Sequence, residues 1–199
     1  MPTLPRKVKI FVLAGILVAG SLVISLVLSF DGGVPKEFSE ARLQGAMISQ
    51  TIVELSSKST LDLESIGRLE KAGNYKGALE VVASAVKRSQ EIRENALKLS
   101  KELEKMTLGL SDLDSFEARQ AALEAISNHL ALVSRLINYS AYMGDLLGII
   151  QSKLSGDWSR SGQIQELLNQ VNAEVAAINS FNNQANQSME RFDAIINKN

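Results

Sequence analysis

Apolar residues recur at alternating steps of three and four positions over most of the chain after residue 36. One such series covers residues 75–110, a second covers 123–154 and a third covers 164–196. This heptad spacing aligns the apolar side chains along one side of an α-helix, as in helices that pack in coiled-coil fashion. An earlier series, over residues 41–69, is less regular, and the run SSKST at residues 56–60 is expected to kink or interrupt it.

The segments between these series carry residues that end one helix and begin the next. The Gly73-Asn74 pair closes the first helical hairpin, and Gly156 closes the third, because glycine readily adopts the left-handed conformation that ends a helix. Ser111 and Asp157 are the predicted N-caps of the two helices that follow the second and third turns.

These boundaries predict an all-α protein with helices over about residues 36–72, 74–108, 112–155 and 157–197. All three prolines precede residue 36, so no proline interrupts these helices. Four helices of similar length joined by short turns are typical of an elongated antiparallel up-down four-helix bundle, here built from two tandem helical hairpins. The heptad series assign Tyr75, Leu123 and Leu130 to the core, with a stammer between residues 130 and 136.

A different pattern precedes the bundle, because residues 10–30 carry no charged side chain. A helix of this length spans about 31 Å, which matches the hydrocarbon core of a bilayer. The basic residues within positions 1–9 predict a cytoplasmic N-terminus, so we expect a transmembrane signal-anchor. The alternative is a cleaved signal peptide, with Val27 and Ser29 as its small-residue cleavage site.

The signal-anchor interpretation divides the chain into a short cytoplasmic tail, a span, a linker and an extracytoplasmic bundle, over residues 1–9, 10–30, 31–35 and 36–199. It predicts a single-pass protein of the plasma or inner membrane. Ala14, Ser21 and Ser25 fall on one face of the span, where small side chains let two membrane helices pack closely. Such residues are also common in spans that do not dimerise.

Composition narrows the chemistry that the bundle can perform. The net charge is −1 and aromatic residues make up 5% of the chain, with no basic patch, so no nucleic-acid partner is expected. The chain has no cysteine and a single histidine, His129, which lacks a glutamate three positions before it. Bundle di-iron sites need paired Glu-x-x-His motifs, and no phosphate-binding or nucleophile motif occurs. We therefore expect no cofactor, no metal and no enzymatic activity.

The last helix carries an unusual concentration of side-chain amides. With the single tryptophan, these residues form a candidate partner surface: Trp158, Gln165, Asn169, Asn172, Asn179, Asn183 and Asn186. The alternatives are that the amides form only the solvated face of the helix and that Trp158 only fills a turn. Asn182 falls within the apolar series itself, where one buried amide can fix helix register and partner number.

Gly144 and Gly148, in the third predicted helix, indicate close helix packing or a pocket between helices.

Two functions are compatible with these features. The first is a membrane-anchored helical bundle that acts by protein contact, as a scaffold, spacer or assembly subunit with a protein partner or as a homo-oligomer. The second is a small-molecule sensor, because the bundle resembles the helical ligand-binding domains of bacterial receptors. A sensor of this kind would signal through a separate membrane partner.

Overall fold

The computed structural model describes residues 34–198, and within them all regular structure is helical. The four long helices are α1 (Lys36–Lys71), α2 (Tyr75–Leu108), α3 (Phe116–Leu154) and α4 (Ile164–Ile196). Short 3-10 turns at Gly109–Asp112 and Ser161–Gln163 precede α3 and α4. The prediction of an all-α helical bundle is confirmed.

The predicted span at residues 10–30 lies outside the described residues, and so do its packing residues Ala14, Ser21 and Ser25. Among the helices of residues 34–198, none combines the length and the apolar composition that crossing a bilayer requires.

The heptad series build the core of the bundle. In α2, every member of the predicted series from Ala78 to Met106 is buried. Consecutive helices pack along one another. Contacts in which a later residue of one helix pairs with an earlier residue of the next, such as Asn138–Glu174 compared with Glu124–Arg191, show that they run in opposite directions. Asp62 of α1 pairs with Arg88 of α2, and the Ser89 hydroxyl of α2 donates a hydrogen bond to the backbone oxygen of Ser140 in α3 at 2.8 Å.

The two ends of the bundle contain different segments of the chain, and we name them the terminal end and the distal end. The terminal end contains residues 34 and 198 and the α2–α3 connection, where Gly109 packs so closely on Phe38 that an added Cβ would lie 3.3 Å from the Phe38 Cβ. The rings of Phe38 and Phe192 lie 5.4 Å apart at this end and join α1 to α4. The distal end contains the α1–α2 and α3–α4 connections.

Two predicted helix starts are wrong. Helix α3 begins at Phe116 rather than 112, because Ser115 and not Ser111 accepts the capping hydrogen bond, from the backbone N–H of Ala118 at 3.2 Å. Helix α4 begins at Ile164 rather than 157, because Asp157 caps a local turn by accepting from the N–H of Ser159 at 2.9 Å.

The first hairpin turn follows its prediction. Gly73 adopts a left-handed φ of 73°, and the Asn74 side chain caps α2 by accepting from the N–H of Gly77 at 3.0 Å. Helix α1 is not broken at residues 56–60. The Ser59 and Thr60 hydroxyls are buried and donate to backbone oxygens four residues earlier, so these polar side chains are satisfied within the continuous helix.

Three predicted core residues are exposed. Tyr75 is 44% exposed because it stands at the first position of α2, beyond the end of the packed region. Leu123 and Leu130 are 49% and 44% exposed because α3 turns a different face to its neighbours. Alanines take the corresponding buried positions near the start of α3, at residues 118, 121, 122 and 125.

Candidate contact surfaces

Trp158 lies at the distal end, in the connection between α3 and α4. The Lys153 ammonium lies 5.0 Å from the centre of its indole ring, within the range of a cation–π contact. The same ammonium forms an ion pair with Glu70 of α1, and the Lys153 side chain is only 10% exposed. One side of Trp158 therefore covers an ion pair that ties α3 to α1.

The loop around Trp158 is held by its own hydrogen bonds. Gly156 adopts a left-handed φ of 98°, and the Asp157 carboxylate accepts from the N–H of Ser159. This hydrogen bond lowers the pKa of Asp157. The Ser161 hydroxyl donates to the backbone oxygen of Trp158 at 2.8 Å. Trp158 is nonetheless 44% exposed, so the side chain both fills the turn and presents an aromatic surface to solvent.

The predicted amide surface on α4 is unevenly exposed. Gln165, Asn169 and Asn183 are exposed, and the Gln165 amide donates to the Asn169 side chain at 3.1 Å. Asn172, Asn179 and Asn186 are half-buried. The exposed amides nearest Trp158 are thus those in the first turns of α4.

Asn182 is 1% exposed, as its place in the apolar series predicts. Neither its amide oxygen nor its amide nitrogen has a hydrogen-bond partner among the described residues. Asn172 Oδ1 and Glu174 Oε2, also on α4, are buried too, and neither has a hydrogen-bond partner within residues 34–198. Glu174 Oε1 accepts a hydrogen bond from the Asn138 side chain of α3 at 3.4 Å. The inner side of α4 therefore holds several unsatisfied polar atoms.

A surface that the sequence analysis did not single out runs along the outside of α3. We name it the α3 outer stripe, and its members follow one another at alternating steps of four and three: Phe116, Gln120, Leu123, Ser127, Leu130, Ser134, Ile137, Ala141, Gly144 and Gly148. None of these residues is charged, and Phe116 is 68% exposed. The signal in the sequence was a second heptad series on the same helix.

The two glycines of the α3 outer stripe do not provide close packing against any other part of residues 34–198. A Cβ added at Gly144 or at Gly148 would meet no other atom within 4 Å. The prediction of close helix packing at these positions is therefore not met by the described residues of this chain.

His129 is partly buried on α3, and its Nδ1 lies 3.0 Å from the backbone oxygen of Ala125, to which it donates. Burial lowers the pKa of His129 below its usual 6.5, and the positive charge of Arg42 lowers it further, against the opposing effect of that hydrogen bond. Residues 34–198 contain no cluster of three potential metal ligands.

Neither a protein-family model, nor a curated protein sequence, nor a solved structure matches this chain. The surfaces described above are therefore interpreted from their own geometry and chemistry.

Proposed function

We propose that this protein is a single-pass membrane protein whose extracytoplasmic helical bundle acts by protein contact, as a scaffold, spacer or assembly subunit. The support for the anchor is the uncharged stretch at residues 10–30 with basic residues before it. The support for the contact function is the exposed Trp158, which is fixed in place by Lys153 at the end of the bundle opposite residue 34.

An exposed tryptophan on a rigid support is suited to binding a protein partner. Tryptophan is enriched among the residues that dominate interface energies, and a side chain that is already ordered loses little entropy on binding. Gln165 and Asn169 are exposed in the first turns of α4, which follow the Trp158 loop along the chain, and we assign their amides to the same contact surface as its hydrogen-bonding groups. The proposed contact surface is therefore Trp158 with the exposed amides that follow it.

Crosslinking of the full-length protein in its native membrane, followed by mass spectrometry, tests this function. We expect a crosslinked species that disappears in Trp158→Ala while the melting temperature falls by only a few degrees, because the contact with Lys153 is lost but the Lys153–Glu70 ion pair remains. Leu43→Ala is the matched control, because Leu43 is also 44% exposed but lies at the terminal end. A Trp158→Ala variant that unfolds at much lower temperature and keeps its crosslinks would reject the proposal.

The second candidate function is a small-molecule sensor that signals through a separate membrane partner. The observation that favours it is the set of unsatisfied polar atoms on the inner side of α4, at Asn172, Glu174 and Asn182. Buried amides without partners can hydrogen-bond a polar ligand that enters between the helices. A thermal-shift screen of small polar compounds tests it, and a melting temperature that rises in wild type but not in Asn182→Leu would support it.

A further inference from the structure

We propose that the α3 outer stripe binds the α3 outer stripe of a second copy of this chain in antiparallel orientation. The stripe is a complete heptad series in which seven of the ten members are exposed, with Phe116, Leu123 and Leu130 between 44% and 68% exposed. Gly144 and Gly148 are half-buried, and so is Ile137, which also packs against the edge of the core. Exposed apolar residues scattered singly are ordinary on a protein surface, but a continuous uncharged heptad series is typical of a helix that packs against another helix.

The order of large and small residues along the stripe selects the partner. Its first half contains the large side chains Phe116, Leu123 and Leu130, whereas its second half ends in Ala141, Gly144 and Gly148. When the stripe is laid against a reversed copy of itself, Phe116 faces Gly148, Gln120 faces Gly144 and Leu123 faces Ala141. In the two central layers Ser127 faces Ile137 and Leu130 faces Ser134. Each layer thus combines one larger and one smaller side chain.

This register also satisfies the geometry of antiparallel coiled coils. Phe116, Leu123 and Leu130 share one heptad position, and their facing residues Gly148, Ala141 and Ser134 share the other, so every layer joins the two position types. A parallel pairing would set Phe116 against Phe116 and Gly148 against Gly148. The distance between helix axes is fixed by the side chains at the contact, so one end of a parallel pair would be held apart while the other was left unfilled.

No described residue packs closely enough against either glycine to explain why a glycine stands there. Glycine is among the least favourable residues in a helix interior, yet Gly144 and Gly148 lie inside α3. The space beside each is open, since an added Cβ would meet no atom within 4 Å. In the antiparallel pair this open space receives the side chains of Gln120 and Phe116 from the second copy.

The contact area is sufficient for a specific but weak association. The overlap of residues 116–148 is about 48 Å long, and a helix is about 10 Å wide, so each copy contributes roughly 500 Å². The total of roughly 1,000 Å² lies at the lower limit of biological interfaces. We therefore expect a reversible dimer at micromolar concentrations rather than an obligate one.

The charges beside the stripe favour a protein partner over a lipid surface. Helices that lie on membranes carry Lys and Arg along the edges of their apolar face. Here Glu117, Glu124 and Asp145 border the stripe on one side and Arg119 borders it on the other, so acidic residues outnumber basic ones along its edges. Glu117 and Asp145 are both exposed, and they approach each other across the antiparallel pair, so added salt should strengthen the association by screening their repulsion.

The proposed pairing deepens the contact function proposed above and rests on it only in part, because α3 and the Trp158 surface are separate. Loss of crosslinks in Trp158→Ala reports on the distal surface alone. If the α3 outer stripe does not pair, that result is unchanged. If Trp158 binds no partner, the tests of the α3 outer stripe are likewise unaffected.

Introduced cysteines give a direct test, because the chain has none of its own. We expect Phe116→Cys and Gly148→Cys chains, purified full-length in mild detergent and mixed under oxidising conditions, to form a disulfide with each other. Neither variant should crosslink to itself, because the two positions are about 48 Å apart along the helix, far beyond the reach of a disulfide. Self-crosslinking of Phe116→Cys would replace the proposal by a parallel pair, and no crosslink above that of Leu97→Cys on α2 would overturn it.

Two substitutions distinguish shape-specific pairing from non-specific hydrophobic association. Gly148→Leu adds apolar surface where the monomer has room, but in the pair it clashes with Phe116 of the second copy, so we expect association about tenfold weaker or more in sedimentation experiments. Leu130→Glu should also abolish dimers, whereas Leu97→Glu, at a leucine that is 47% exposed on α2, should not. Unchanged or stronger association of Gly148→Leu, with binding to lipid vesicles, would assign the stripe to a membrane surface and reject the pairing.

Discussion

Arg42 and Asp193 lie 151 positions apart in the chain and form a two-bonded ion pair that joins the first helix to the last. The two guanidinium nitrogens of Arg42 donate to the two carboxylate oxygens of Asp193 at 2.6 and 2.7 Å. The Arg42 side chain is 3% exposed and its guanidinium also lies over the Phe192 ring. This pair and the Phe38–Phe192 contact fasten α1 to α4 at the terminal end.

Removing one partner of this pair should destabilise the bundle strongly. Asp193→Asn removes the carboxylate charge that the buried Arg42 guanidinium contacts with two hydrogen bonds, so we expect the free energy of unfolding to fall by about 3 kcal/mol. Urea unfolding followed by circular dichroism measures the change. Glu40→Gln is the matched control, since Glu40 pairs with Lys36 on the surface and should change stability by less than about 0.5 kcal/mol. Equal effects of the two variants would contradict the prediction.

Asn182→Leu should make the bundle more stable. The buried amide has lost its hydrogen bonds to water without gaining partners among the described residues, and a leucine of similar size avoids that cost, so we expect a gain of about 1 kcal/mol. The neighbouring Asn183 is exposed, and Asn183→Leu should change stability by less than about 0.5 kcal/mol.

The same variant tests whether Asn182 specifies helix register. If it does, the added stability of Asn182→Leu is accompanied by less cooperative unfolding or by more than one oligomeric state. A sharp transition with an unchanged denaturant dependence and a single species would show that the amide is not needed to specify the packing.

Protonation of His129 should destabilise the bundle in mild acid. Because the folded-state pKa lies below the unfolded value of about 6.5, the unfolded chain binds a proton first as pH falls. The stability associated with neutral His129 is fully present above pH 6.5 and is lost as pH falls from there through the lower folded-state pKa. Unfolding measured from pH 7.5 to pH 5 should show a decline that is smaller in His129→Gln, and parallel curves for the two proteins would contradict this account.

Trp158 provides its own reporter of the distal end, because it is the only tryptophan in the chain. Replacing Lys153 by Ala removes the cation over the indole ring, and we expect faster quenching of Trp158 fluorescence by acrylamide. The accompanying loss of stability should be about 1 kcal/mol or more, since both the cation–π contact and the Glu70 ion pair are lost. Lys71→Ala, at an exposed lysine of the same end, should leave the quenching unchanged.

The heptad pattern predicted the four helices and the core of α2, but it could not identify the buried face of α3. Helix α3 packs against both α2 and α4, so it buries a wide arc, including Leu132, Val133 and Leu136 on adjoining positions. Leu123 and Leu130 belong to an equally regular series on the opposite side. Periodicity shows that a face is suited to packing against another helix but not which helix that is.

The start of α4 could not be predicted because two capping patterns compete there. Asp157 after a glycine is a good N-cap in the sequence, yet its carboxylate accepts a hydrogen bond from the N–H of Ser159 in a local turn instead of capping a helix. The helix therefore begins seven residues later, and Trp158 lies in the connection before α4 instead of in its first turn. The burial of Asn182, in contrast, followed directly from its position in the series.

Residues 34 and 198 both lie at the terminal end of the bundle, and this placement has a consequence for the proposed pair. In an antiparallel dimer the terminal ends of the two copies point in opposite directions and are separated by roughly 50 Å along the shared axis of α3. If residues 10–30 span a bilayer, the two copies are anchored in two different membranes. The dimer then links two facing bilayers, and the length of one helix sets the distance between them.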